Sequence, residues 1–251
     1  MHPVTAGQGI AQAGAKDWLL KLPPVQSGYH NAQLWNYVQQ SKLNSTVQLE
    51  NRPPLRLSLS AYCVGEPDEL VGTAGFGFWN HPLSPERRRL PRLPRAVWFF
   101  FASKRSNMAL ASDVPGSGWK CAVIDTINPC ALALMPLAVP AALALRSKWL
   151  YSRLYPAIQR ALKIDEHPLD LSLLRERHRY QIDWLVDRVS FSIDSQLIFE
   201  TPFSPAGPLG LVIWMDNRYA VVTPQGHFGF GVEAVEREQG MMVEEIEMSD
   251  G

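Results

Sequence analysis

The sequence is poor in the residues that staple a protein or give it a strong charge. Only Cys63, Cys121 and Cys130 supply thiols in 251 residues, too few and too scattered for a disulfide framework or a zinc site, and they fit a reducing compartment. Neither sign of charge is in excess. The 24 basic and 24 acidic residues cancel to a formal net charge of zero, which offers no overall pull toward nucleic acid or an anionic membrane. The opening MHPVTAGQGIAQAGAKDW lacks a basic stretch followed by an apolar core, so no secretory leader is read and a cytoplasmic location is expected. Long apolar runs are missing too: the best one, inside 131–164, holds Pro136 and Pro140 and ends at Arg146 and Lys148, short of the ~20 residues that cross a bilayer.

Metal and cofactor motifs are likewise not found. His167 and His178 are too far apart for a helical i, i+4 zinc pair, and the acids form no calcium loop. GFGFWN lacks the strand-to-helix setting of a phosphate-binding loop, and no Ser or Cys stands in a recognisable nucleophile context. The expectation is no metal and no cofactor.

What the chain has is strands. In RPPLRLSLSAYCV (52–64), Leu55, Leu57 and Leu59 alternate with Arg56, Ser58 and Ser60, the period-two pattern of a strand with one wet face. GTAGFGFWNHP (72–82), WKCAVIDTIN (119–128), HRYQIDWLVDRVSFSIDSQLIFET (178–201) and PLGLVIWMDNRYAVVTPQGHFGFG (208–231) add further candidates. Many short strands broken by Gly, Pro and Asp turns predict an all-β sandwich of two antiparallel sheets. The expected organisation is an N-terminal segment, 1–40, joined to a sandwich over 41–232 with a helical insert at 131–164, then an acidic tail.

Residues 95–103, RAVWFFFAS, break the alternation: Trp98, Phe99, Phe100 and Phe101 follow one another, so both faces of this strand need an apolar neighbour. Both sides can be packed in the core, or one can line an aromatic cleft. The Ala- and Leu-rich 131–164 is expected to be helical with a kink or restart at Pro156. It can pack on the sandwich, cover a cleft as a lid, or lie at a membrane interface, with Trp149, Tyr151 and Tyr155 near its bases. The tail, 233–251, carries seven acids against Arg237 alone and reads as a solvated end.

His178, Tyr180, Trp184, Asp187 and Asp194, with Ser195 after them, resemble a signature of the concanavalin A-like jelly rolls of glycoside hydrolase family sixteen. There a His-x-Tyr-x-x-x-Trp strand turns into a strand ending in an Asp-Gly hairpin; here serine replaces the glycine. The resemblance covers about residues 50–230 and implies a two-sheet antiparallel jelly roll. It also implies that Trp79 and Trp214 face the cleft. The family carries its acids in a Glu-x-Asp-x-Glu or Glu-x-Asp-x-x-Glu motif on the strand matching AVWFFFAS, which has no carboxylate. Retaining hydrolysis needs two carboxyls ~5–5.5 Å apart, so the resemblance implies the hydrolase fold without its machinery.

A small-molecule or glycan ligand is therefore expected in a groove of Trp79, Asn80, His81, Trp98, Phe100, Trp214, Asn217 and Tyr219. Asp125 and Asp216 are the candidate acids. Each has a structural alternative, Asp125 as a hydrogen-bonded strand residue and Asp216–Asn217 as a turn. His81 before Pro82 reads equally as a turn. Three functions follow: a non-hydrolytic binding module, a cyclase or isomerase shaping a hydrophobic substrate under the insert, or a glycosidase with relocated carboxylates. Whether the insert encloses the aromatic groove separates the first two.

Overall fold

In a computed structural model of the chain, which describes residues 1–37, 39–40, 46–80 and 93–251, two large antiparallel sheets pack face to face. The strands are β1 (His2–Ala6), β2 (Ile10–Ala13), β3 (Asp17–Leu22), β4 (Asn31–Trp35), β5 (Gln39–Gln40) and β6 (Thr46–Val47). After these come β7 (Leu55–Val64), β8 (Thr73–Trp79), β9 (Arg95–Ala102), β10 (Gly118–Asp125) and β11 (Ile164–Leu169). The last are β12 (His178–Trp184), β13 (Val189–Ile193), β14 (Gln196–Thr201), β15 (Gly210–Asp216), β16 (Arg218–Val222), β17 (Phe228–Val232) and β18 (Gln239–Ser249). One seven-stranded sheet runs β1-β4-β15-β8-β9-β10-β11 and the other β14-β13-β12-β7-β18-β3-β2. His81 and the arginine run at 87–89 lie outside the described residues.

The inward positions build one continuous core. Leu57, Leu59, Ala61 and Cys63 of β7 face Phe76, Phe78, Phe99 and Phe101 of the other sheet, and all are buried. Phe99 sits 5.3 Å from Phe76, 5.1 Å from Tyr180 and 5.3 Å from Phe191, joining four strands and both sheets by ring contacts. Such offset and edge-on arrangements suit the aromatic quadrupole. Tyr180 and Trp184, from the family signature, are inward residues of β12. His178 and Asp194 bond at 2.6 Å across the β12–β13 strands, and Asp194 and Ser195 both take left-handed backbone, φ 49° and 67°. That is the two-residue hairpin with positive φ at both positions, which glycine favours and which Asp-Ser adopts here.

Two sequence expectations need correction. The acidic tail is not a solvated end: β18 lies between β7 and β3, with Met241 and Val243 fully buried. Its acids have partners supplied from elsewhere in the chain, Arg177 to Glu244 and Glu245, Arg179 to Glu245 and Glu247, and Lys21 to Glu238. Exposed pairs of this kind contribute little each; burial of the apolar residues between them is what seats the strand. A register shift between Glu244 and Glu247 lets the strand follow β7.

The second correction concerns helices, found as α1 (Pro129–Leu134), α2 (Ala138–Ala144) and α3 (Lys148–Ala161). Pro156 neither ends nor restarts α3. It sits on the exposed side, while the next-door Tyr155 is buried and donates to the Leu110 carbonyl. The break falls earlier, at Leu145–Ser147, between α2 and α3. Among the described residues no helix is long and apolar enough to cross a membrane.

Removing residues 239–251 should abolish cooperative unfolding, because it opens the middle of a sheet. The milder Met241→Ala should lower stability by about 2–5 kcal/mol, read from urea denaturation, as expected for a buried large-to-small change.

Candidate functional site

The outward face of the first sheet is aromatic. Side chains alternate along β9, so Phe99 and Phe101 point inward while Trp98 and Phe100 point outward. They meet Trp214 of β15 and Trp79 of β8 across two glycines: Gly75 is paired with Phe100 and Trp214, and Gly77 with Trp98 and Val212. A Cβ at Gly77 would lie 2.7 Å from Trp98 Cβ, and one at Gly75 2.9 Å from Trp214 Cη2. The backbone also reaches φ +147° at Gly77. Glycine is therefore required for the neighbouring rings to lie across β8. Trp98 is 5.3 Å from both Phe100 and Trp214, and Trp79 lies parallel to Trp214 at 6.5 Å.

The band extends beyond the residues expected from sequence. Trp79 Nε1 donates to Tyr37 Oη at 3.0 Å, and Trp35 packs on Tyr37 at 4.8 Å. Trp35 shares the outward face through its pairing with Val212. Phe100 and Trp214 are nearly buried, whereas Trp35, Trp79 and Trp98 are half-buried. The difference arises from the 103–117 connection, which lays Met108 on the Phe100–Trp214 end.

A buried ion pair anchors that connection. Lys120 Nζ is 2.8 Å from Glu166, each side chain 2% exposed. Lys120 also donates to the Met108 carbonyl, and Glu166 accepts from Ala111 N–H. With both charges hydrogen-bonded to the covering loop, their desolvation is offset. Sequence reasoning missed this pair. Its signal was a lone lysine in an otherwise apolar strand, WKCAVI, and nothing local pointed to a glutamate 46 residues away.

The candidate acids diverge. Asp125 is not in the groove: β10 turns it away from the Lys120–Ala122–Ile124 face, and it binds Arg95 at 2.7 Å, with Lys163 at 3.7 Å. Asp216 does share the outward face with Trp214. It accepts from Thr73 Oγ1 at 2.8 Å, from Thr73 and Arg218 N–H, and from Tyr29, while Trp214 Nε1 donates to the same Thr73 hydroxyl. Burial outweighs these bonds and raises its pKa from 3.8 to about 6.

Asn217 is corrected from ligand contact to strut. It is fully buried, accepts from His30 N–H and donates to the Gly28 and Glu233 carbonyls. Asn80 likewise bridges the Leu93 carbonyl and Arg95 N–H, holding β8 to β9. Tyr219 lies on the β16–β17 hairpin under Arg105, whose guanidinium is 4.3 Å from the ring centre. It is not among the rings in contact with the band.

The helical segment encloses a separate space. A cavity of about 570 Å³ is lined by residues that include Leu110, Leu134, Leu145, Tyr155, Ile158, Ile164 and Phe228, with none of the four groove aromatics. Ala96, Ile124 and Ile164 form the divide, packing against Trp79 and Trp98. A substrate-shaping chamber beneath the insert, as a cyclase would need, is therefore not built from the aromatic groove.

Two measurements probe this description. Glu166→Gln should cost about 3–5 kcal/mol by leaving Lys120 buried and unpaired, and Lys120→Met combined with Glu166→Leu should recover most of it in thermal denaturation. Asp216 binds its proton more tightly in the folded state, so its contribution to stability is full below pH 3.8 and is lost as pH rises through about 6. Asp216→Asn should flatten that part of the stability–pH curve, measured as urea midpoints.

No family model and no curated protein matches the chain. Among solved structures, the legume lectin-like domain from Entamoeba histolytica is similar over 99% of this chain and 90% of that one, at 8% identity and a TM-score of 0.50. The Bacillus licheniformis β-glucanase is similar over 97% and 89%, at 9% identity and a TM-score of 0.42. The Flavobacterium sp. UMI-01 laminarinase covers 94% and 80%, at 11% identity and 0.43. What is shared at such identities is architecture, and with its two face-to-face antiparallel sheets the chain has the concanavalin A-like jelly-roll fold.

Proposed function

We propose that the chain is a non-hydrolytic carbohydrate-binding jelly roll whose ligand stacks on the half-buried end of the aromatic band, at Trp35, Trp79 and Trp98. The observation that carries this reading is the outward face of β9, where Ala96, Trp98, Phe100 and Ala102 leave aromatic area and no carboxylate. Indole faces bind the C–H faces of sugar rings through apolar contact and offer neither nucleophile nor proton donor. Similarity of fold to a lectin-like domain agrees with a sugar ligand. Three buried acids are engaged structurally: Glu166 with Lys120, Asp125 with Arg95, and Asp216 with the Thr73 and Arg218 strand ends.

Calorimetric titration with β-glucan, laminarin-derived and agar-derived oligosaccharides tests the proposal. Trp79→Ala and Trp98→Ala should each weaken binding by about 1–3 kcal/mol, from lost stacking and apolar burial. Trp214→Ala should instead lower stability by ~3–5 kcal/mol, since that ring is nearly buried. No reducing sugar should be released from the same glycans. Steady hydrolysis abolished by Asp216→Asn, or oligosaccharide affinity indifferent to Trp79 and Trp98, would overturn the reading.

A further inference from the structure

Although the net charge is zero, charge and apolar surface are segregated on one side of the molecule. From Thr126 to Ile164 the chain has no Asp or Glu, but it carries Arg146, Lys148, Arg153, Arg160 and Lys163. The first four are exposed, and Lys163 leans toward Asp125. Within the same segment large apolar side chains face solvent: Val139 is 73% exposed, Leu137 57%, Leu143 55% and Met135 53%. The β16–β17 hairpin continues the surface. Phe228 and Phe230, 73% and 55% exposed, share one face of β17. Arg146 Nε reaches the Gln225 carbonyl in the hairpin turn, and a Cβ at Gly226 would touch Ala142. Helices and hairpin thus meet, and the cavity between them opens through Met135, Leu137, Val139, Leu143 and Phe228.

A soluble face of this kind is costly in water unless something covers it. Its chemistry favours one occupant. The protruding groups are mostly aliphatic, every charged side chain of the 126–164 segment is basic, and the exposed Trp149 carries the Arg153 guanidinium 4.6 Å from its ring centre. Protein interfaces combine an apolar centre with a rim of mixed polarity; an apolar surface whose own segment supplies cations and no acid complements a bilayer bearing anionic headgroups. The helices are too short to span. We propose that α1, α2 and the β16–β17 hairpin form a monotopic docking face for anionic phospholipid membranes. Leu137, Val139 and Phe228 enter the acyl boundary, Arg146 and Lys148 meet the headgroups, and the cavity mouth opens toward the lipid chains.

Flotation of the full chain with vesicles of phosphatidylcholine alone, and with roughly one-third phosphatidylserine added, tests this. The chain should float with the anionic vesicles and much less with the neutral ones. Val139→Asp and Phe228→Asp change exposed side chains and leave folding intact, which circular dichroism verifies; each should lower partitioning about tenfold or more. Arg146→Glu with Lys148→Glu should remove the preference for phosphatidylserine. Val186→Asp, equally exposed on the β12–β13 turn, should have no effect. The proposal fails if the chain does not float with anionic vesicles, or if Val186→Asp matches Val139→Asp. It fails also if the face is instead occupied by a second copy, seen as a concentration-dependent dimer that Val139→Asp dissociates and vesicles do not bind.

Discussion

Strand β9 has no polar face, and both of its sides must be withdrawn from water. The inner side is covered by the second sheet, where Phe99 meets Tyr180 and Phe191. Among the described residues, no second large sheet stands over the outer side. There the rings cover one another: Trp98, Phe100, Trp214 and Trp79 lie stacked or tilted against each other across the glycine-notched β8, and the 103–117 connection caps the Phe100 end. This gradient of burial along a single aromatic band leaves one end packed and the other half-exposed.

The polar groups near the band are arranged around the same constraint. Lys120 and Glu166 sit in a sheet face that would otherwise be apolar, and each spends its remaining hydrogen-bonding capacity on the backbone of the covering loop. The pair thus sets where the loop lies as well as satisfying two buried charges, a specifying role for a buried ion pair. Asp216 plays a comparable part beside Trp214, tying β15 to β8 through Thr73 at the expense of a carboxyl that burial makes reluctant to ionise.

Much of the strand framework was legible because side-chain alternation is local. Leu55, Leu57 and Leu59 announced β7, and the Asp187 and Asp194 turns divided β12, β13 and β14. The jelly roll was readable through the family resemblance that Tyr180 and Trp184 help carry, and both fall on the inner side of one strand. The tail was misread for the opposite reason. A count of acids along 233–251 cannot show that Arg177 and Arg179, 66 to 68 residues earlier, stand opposite Glu244, Glu245 and Glu247.

By itself the sequence determined that β9 is apolar on both sides and carries no acid, because those are properties of residue type and period-two geometry. Only the tertiary structure decided which aromatics meet, because Trp35, Trp79, Trp98 and Trp214 come from four strands whose order in the sheet, β4-β15-β8-β9, is not their order in the chain. It also separated Asp125 from Asp216 and the helical cavity from the aromatic groove. Burial, pairing and the side of a sheet on which a residue falls are consequences of register and strand order, and these are set by contacts between residues far apart in sequence.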